Sequence, residues 1–162
     1  MSTWTTTYDS PIGPLTLAAT ARGVSGLHFE TSSHPPAKET WSEDRLPFVA
    51  VMRQLDEYFA GKRHDFSIEL DLAGTPFQCR VWNALRAIPY GTTISYGKLA
   101  RRIGDAKASR AVGLANGKNP VAVIVPCHRV IGANGQLTGF GGGLLRKKFL
   151  LELEVRDFAL VA

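Results

Sequence analysis

Residues 94–132 read ISYGKLARRIGDAKASRAVGLANGKNPVAVIVPCHRVIG, and the organisation of the whole chain is read outward from this stretch. Tyr96, Leu99, Ala100 and Ile103 recur at helical spacing, Gly104-Asp105 breaks the pattern, and Ala108, Ala111, Val112 and Ala115 form a second short stripe. Two short helices around a tight glycine-containing turn predict a helix-turn-helix. Its second helix exposes Ser109, Arg110 and Gly113 among small residues. A helix this slim approaches a nucleic-acid backbone closely but offers few long side chains to read base edges. After it come Asn119-Pro120, an apolar run from Val121 to Val125 that reads as a buried strand, and then Pro126-Cys127-His128-Arg129. An inert cysteine packs as a small hydrophobe, whereas one beside His128 and Arg129 has the positive neighbourhood of a reactive thiol.

Upstream, Gly74-Thr75-Pro76 marks a boundary. Thr75 suits an N-cap, Pro76 the first helical position, and Gln78 completes a capping box for a helix over 77–88, which Pro89 ends. Residues 1–72 predict a small sheet-plus-helix unit. Strands are expected at Thr3–Tyr8, Leu15–Thr20 and Val24–Phe29, followed by a surface loop from Thr31 to Leu46. Phe48, Val51, Met52, Leu55 and Phe59 then mark a helix that Gly61 closes. HDFSIELDL (64–72) alternates apolar and polar residues, so it reads as a strand whose carboxylates face water and bind no metal. Downstream, Gly139-Phe140-Gly141-Gly142-Gly143 leads into an apolar helix ending near Glu154, and the glycines permit close approach of backbone to a ligand. The expected class is α+β: an N-terminal scaffold domain (1–72), then a mostly helical domain (73–162) with the helix-turn-helix.

Composition is ordinary for a globular chain, with 44% hydrophobic and 20% charged residues, and no apolar stretch reaches membrane-spanning length. The N-terminus lacks the layout of a secretory signal. Cys79 and Cys127 are too few for a disulfide framework, so a reducing, cytoplasmic setting is expected. The net charge of +5 divides unevenly, −4 over residues 1–72 and +9 over residues 73–162. A basic half joined to an acidic one points to a localised polyanion footprint.

A thiol needs a base or a positive field to ionise near neutral pH. His128 is adjacent in sequence, and adjacent side chains generally point apart, so a water relay is expected between them. A histidine base also needs its other nitrogen held, usually by a carboxylate. Asp105, Glu152, Glu154 and Asp157 are the acidic residues of this half, and spacing does not choose among them. Cys79 falls inside a helix and reads as a packing residue.

PCHRV, preceded by ISYGKLA, SRAVG and NPV and followed by GxGGGLxRKxxLLxLE, closely resembles the O6-alkylguanine-DNA alkyltransferase family over about residues 75 to 155. The resemblance implies a ribonuclease H-like first domain and direct DNA repair: an alkyl group moves from O6 of guanine to the protein's own cysteine, once per molecule. It implies Cys127 as acceptor, His128 as base through water, Glu154 as the carboxylate that orients His128, and Asn119 as a brace of the active-site turn. Tyr96 would hydrogen-bond the guanine and help its oxygen gain a proton. The carbonyls of Cys127 and Val130 would accept from the guanine amino group, and the Gly141 N–H would donate toward O6. Arg110 would enter the stack as the nucleotide flips out on the minor-groove side, with Ser109, Ala111, Gly113 and Arg129 also at the DNA. The expected partner is double-stranded DNA carrying alkylated guanine, met by a monomer without cofactor, metal or membrane; cooperative binding and activity on alkylated thymine stay open. Three positions depart from many relatives: Phe140 stands for tyrosine, Gly141 for serine and Asn116 for methionine, which bears on pocket size. Two other readings compete. In a helix-turn-helix regulator Cys127 only packs and binding is sequence-specific; in a cysteine hydrolase, turnover is catalytic.

Overall fold

The structure, a computed structural model, describes residues 3–29, 41–140 and 142–161, with the backbone alone described for Trp41 and residues 157–161. Strands β1 (Thr3–Ser10), β2 (Gly13–Thr20) and β3 (Gly23–Phe29) form an antiparallel meander, as their alternation predicts. Leu15, Leu17 and Ala19 of β2 and Val24, Leu27 and Phe29 of β3 are buried in the core. A short β4 (Trp41–Glu43) pairs in parallel with the outer side of β1. It falls inside the segment read as a surface loop; three residues are too few to show a period, so only pairing reveals the strand. Residues 31–40 of that loop lie outside the described residues.

Helix α1 (Val49–Phe59) turns Val51, Leu55 and Tyr58 into the core, an i, i+4, i+7 stripe. The 64–72 segment differs from its reading. Phe66, Ile68 and Leu70 do pack inward while Asp65, Ser67 and Glu69 are exposed. Yet the segment forms only one bridge, Val24 to Leu70, through two backbone bonds of 2.9 and 2.8 Å. Gln54 replaces a neighbouring strand by bonding both the N–H and the carbonyl of Ser67.

The Thr75–Gln78 capping box forms and opens α2, which spans Pro76–Leu85 and ends sooner than expected because the chain tightens into turns before Pro89. A two-residue strand, β5 (Ile94–Ser95), leads into α3 (Tyr96–Arg102), with Ser95 as N-cap. Gly104, at φ 82°, makes the turn to α4 (Ser109–Gly117), completing the helix-turn-helix. The Trp82 indole N–H donates to the Ala115 carbonyl at 2.8 Å and locks α2 to α4. Ala111, assigned to the apolar stripe, lies on the exposed face instead. Residues 121–125 are not a strand but a coiled turn, after which β6 (Val130–Ile131) pairs with β5. The last helix, α5 (Leu144–Val161), continues well past Glu154 because no glycine or proline stops it. No described helix is long and apolar enough to cross a membrane.

β3 would be a bare sheet edge, and two segments cover it. Residues 69–71 bond Val24, while Leu27 donates to the Pro120 carbonyl at 2.9 Å and accepts from Ala122 at 3.3 Å. One core cluster joins both halves across this seam. Gly23 sits there at φ 150°, and a Cβ on it would meet the Glu69 carbonyl oxygen at 2.5 Å. Gly23→Ala should therefore destabilise the fold by about 1–3 kcal/mol, read as a lower urea midpoint; an unchanged midpoint would show that the seam yields freely.

Candidate active site

The turn before the cysteine is built from buried apolar residues, Val121 to Val125. Val125 N–H bonds the Val121 carbonyl at 3.0 Å and Cys127 N–H bonds the Val125 carbonyl at 2.8 Å, so the run coils rather than extends. Val123 adopts φ 72°, a left-handed conformation that a β-branched residue avoids unless its surroundings impose it. Asn119 imposes it from one side. Its Nδ2 donates to the Val125 carbonyl at 2.7 Å and its Oδ1 accepts from Val121 N–H at 3.0 Å, clasping both ends of the turn. The chain then enters a 3-10 turn, Cys127–Arg129, whose residues are all buried.

Beneath this turn lies Glu154 of α5, 0% exposed. His128 Nε2 is 2.7 Å from Glu154 Oε2, and the Tyr58 hydroxyl donates to the same oxygen at 2.6 Å. Arg129 grips the carboxylate with Nε at 2.8 Å and Nη2 at 3.1 Å, and Gly91 N–H adds a fifth bond at 3.3 Å. Burial alone would raise the Glu154 carboxyl. The charges and hydrogen bonds of His128 and Arg129 outweigh it and hold the group well below the usual carboxylate range, hence ionised. Burial lowers the His128 pKa, and Glu154 opposes this without reversing it, so the ring is neutral near pH 7. An acceptor-only carboxylate at Nε2 requires the proton there. Nδ1, buried and without a protein partner among the described residues, is then the basic nitrogen.

Cys127 is buried, and burial pushes its thiol pKa up, against smaller downward pulls from Asn119 and Lys147. The resting sulfur is therefore a protonated thiol. It lines a cavity of about 30 Å³ with Leu27, Phe29, Asn116, Asn119 and Phe140 among the other walls. That volume holds a water molecule, not a purine. A larger open cleft of about 540 Å³ lies behind the turn, against Pro126 and Arg129.

A buried thiol precedes, in the same tight turn, a neutral imidazole that is hydrogen-bonded to an ionised carboxylate, and the chain also carries a helix-turn-helix. Comparison with known proteins matches both halves to models of a single family. Residues 76–156 match the 6-O-methylguanine DNA methyltransferase DNA-binding domain, and residues 4–72 its ribonuclease-like domain. The chain belongs to the 6-O-methylguanine DNA methyltransferase family. A methylated-DNA–protein-cysteine methyltransferase of Mycobacterium tuberculosis is 56% identical over 148 residues, covering 91% of this chain and 90% of that protein. One from Methanosarcina acetivorans is 51% identical over 148 residues, covering 91% and 95%. Among solved structures, Mycobacterium tuberculosis OGT in complex with DNA aligns with a TM-score of 0.92 at 54% identity, over 95% of this chain and 94% of that one.

In this methyltransferase-family chain, Cys127, His128, Glu154 and Asn119 come together in one buried site. Tyr96 stands at its rim, donating from its hydroxyl to the Thr138 carbonyl at 3.1 Å. Phe140 packs edge-on against Phe29, 5.5 Å between centroids, and closes the cavity. Arg110 and Ala111 are exposed on α4, with Ser109 and Gly113 partly so. Arg129 is a correction. Expected at the DNA, it is 6% exposed and spends its guanidinium on Glu154 and on the Ile88 carbonyl at 2.6 Å. Gly141 lies outside the described residues. Among the described residues no group of three or more His, Cys, Asp or Glu could hold a metal ion.

Two participants escaped the sequence reading. Tyr58 lies beside Phe59 but outside the stripe read for α1, and nothing local tells that its hydroxyl reaches Glu154. Lys147, in the basic string RKK, is 0% exposed. Its Nζ donates to the carbonyls of Val130 at 2.6 Å and Thr138 at 2.7 Å, tying β6 to the segment that carries Phe140. Burial lowers its pKa to about 8, an effect that Cys127 opposes only when its sulfur is ionised. A lysine in a helix otherwise apolar on that face was the available signal.

These shifts set the response to acid. His128 titrates lower in the folded chain than its ordinary 6.5, so below that pH the unfolded state binds a proton that the native state refuses. Glu154 also titrates below its ordinary 4.5, and its contribution, full above that value, is lost progressively as pH falls from there through its lower folded pKa. Both signs make stability fall on acidification. Urea midpoints should decline from about pH 6.5 downward, and His128→Gln should flatten the first part of that decline; a midpoint that rises in acid would contradict the assignment.

Proposed function

We propose that this chain repairs DNA by transferring an alkyl group from O6 of guanine to Cys127, irreversibly and once per molecule. The observation that carries this reading is the hydrogen-bonded series from Glu154 to His128, which leaves Nδ1 as a buried base beside the buried thiol turn. The thiol proton passes to Nδ1 through one water, and the imidazolium is stabilised by Glu154. The thiolate attacks the alkyl carbon, the carbon–O6 bond breaks, and its electron pair returns to the purine. The Tyr96 hydroxyl hydrogen-bonds the base as the purine regains a proton, so the thiol proton is in net terms passed to guanine. The product thioether is not cleaved by water at a useful rate, and the sulfur is spent.

The base must leave the duplex to be reached. α3, α4 and their flanks expose Lys98, Arg101, Arg102, Lys107, Arg110 and Lys118, with Asp105 the acidic residue among them. That surface supports phosphate contact by the helix-turn-helix, with α4 in the minor groove and Arg110 filling the vacated stack. The 30 Å³ cavity requires its outer wall to give way. Gly139 and Phe140 belong to a stretch without regular secondary structure, and moving it costs the bonds to Thr138 from Tyr96 and Lys147 rather than any ladder. The division of labour is a scaffold over 1–72 and the chemistry over 73–162. A reducing cytoplasm suits a protein whose two cysteines are both free.

Mixing the protein with duplex containing O6-methylguanine should add one methyl to the Cys127 peptide, stoichiometrically, and none in Cys127→Ala, as read by mass spectrometry. Methylation elsewhere, or multiple turnover, would defeat the proposal. Arg110→Ala should slow reaction with duplex by roughly tenfold while changing the reaction with free modified base far less; equal losses would remove the finger role.

A further inference from the structure

Asn116 sits near the end of α4 and is 2% exposed. Its Nδ2 donates to the Cys127 carbonyl at 3.4 Å, and because a carbonyl only accepts, this fixes which way the amide lies. Oδ1 is then buried with no hydrogen-bond partner among the described residues. The residue also lines the cavity that Cys127 lines. A buried acceptor left unpaired costs stability, and folded chains hold few of them. One that lines a reaction cavity has an evident partner in whatever enters.

We propose that Asn116 is a specificity-determining residue: its Oδ1 accepts a hydrogen bond from the 2-amino group of the alkylated guanine and so favours guanine adducts over thymine adducts. This rests on the alkyl-transfer reading above. Base chemistry singles out the amino group. Alkylation at O6 removes the hydrogen from N1, and N9 is bonded to the sugar, so the 2-amino group holds the only N–H donors left on the purine. O4-alkylthymine has none, since N1 carries the sugar and N3 loses its hydrogen on alkylation. An acceptor placed here is satisfied by the first base and left bare by the second, which is how a polar group in a closed site discriminates. The Cys127 and Val130 carbonyls, expected to accept from the same amino group, each already hold a protein donor on one of their two lone pairs. Oδ1 of Asn116 holds none among the described residues. Asn119 uses both side-chain atoms within the turn, the Cys127 carbonyl takes Asn116, and the Val130 carbonyl takes Lys147.

The test compares single-turnover methyl transfer to Cys127 from three duplexes, bearing O6-methylguanine, O6-methylhypoxanthine (the same purine without the amino group) or O4-methylthymine. Wild type should prefer the guanine adduct over the hypoxanthine adduct by about tenfold. In Asn116→Leu, alike in branching, and in Asn116→Ala, as a second variant if the first folds poorly, that ratio should collapse toward one. The guanine-to-thymine ratio should narrow by a similar factor. A guanine-to-hypoxanthine ratio unchanged in both variants, or a wild type indifferent to the amino group, overturns the role of Asn116 while leaving alkyl transfer standing. No transfer from any duplex by wild type would instead overturn the alkyl-transfer reading, and this inference with it.

Discussion

A single buried carboxylate is the constraint around which the molecule closes. Glu154 has no access to water, so its charge survives only if the chain surrounds it with donors. Five come from four residues in three separate places: Tyr58 on α1, Gly91 before β5, and His128 and Arg129 on the turn that begins at Cys127, with Arg129 giving two. Removing one partner of such a group typically costs about 3–5 kcal/mol. The same bonds that keep the charge buried fix the imidazole tautomer. Stability and reactivity are therefore set by one set of contacts, and the N-terminal half takes part in the site through Tyr58 rather than merely lying beside it.

The second constraint is the turn that presents the sulfur. Five consecutive buried apolar residues would ordinarily pair as a strand, but here they coil, with Val123 held left-handed. Asn119 and the β3 seam hold the turn in that shape. The result carries the cysteine from the exposed helix-turn-helix into the core within a few residues. A thiol so buried stays protonated at rest, which protects it, and requires a base in place when an alkyl carbon arrives. Asn116 and Lys147 belong to the same shell, joining the Cys127 carbonyl to α4 and the Val130 carbonyl to α5.

Much of this was legible in one dimension. The meander, the capping box at Thr75, the Gly104 turn and the two short helices follow from period and turn chemistry, which depend on near neighbours alone. The PCHRV segment announced a reactive cysteine for the same reason. Where the reading failed, a distant partner had decided the matter. Alternation in 64–72 was real, but its backbone partners number one bridge and one glutamine. The 121–125 run reads as a strand until Asn119 bends it. Arg129 reads as a DNA contact because it is charged, and only the fold shows that its charge is consumed inside.

The local pattern alone determined an α+β chain with a helix-turn-helix and a cysteine primed for chemistry, since helical stripes, caps and motif spacing are short-range properties. Spacing left four carboxylates open for His128, and the family resemblance pointed to Glu154. Tertiary structure alone decided that Tyr58 and Lys147 join the site and that Arg129 leaves the surface. The reason is physical. A buried charge chooses its partners by proximity in three dimensions, and proximity between residues 58, 128 and 154 is created by packing, not by spacing along the chain.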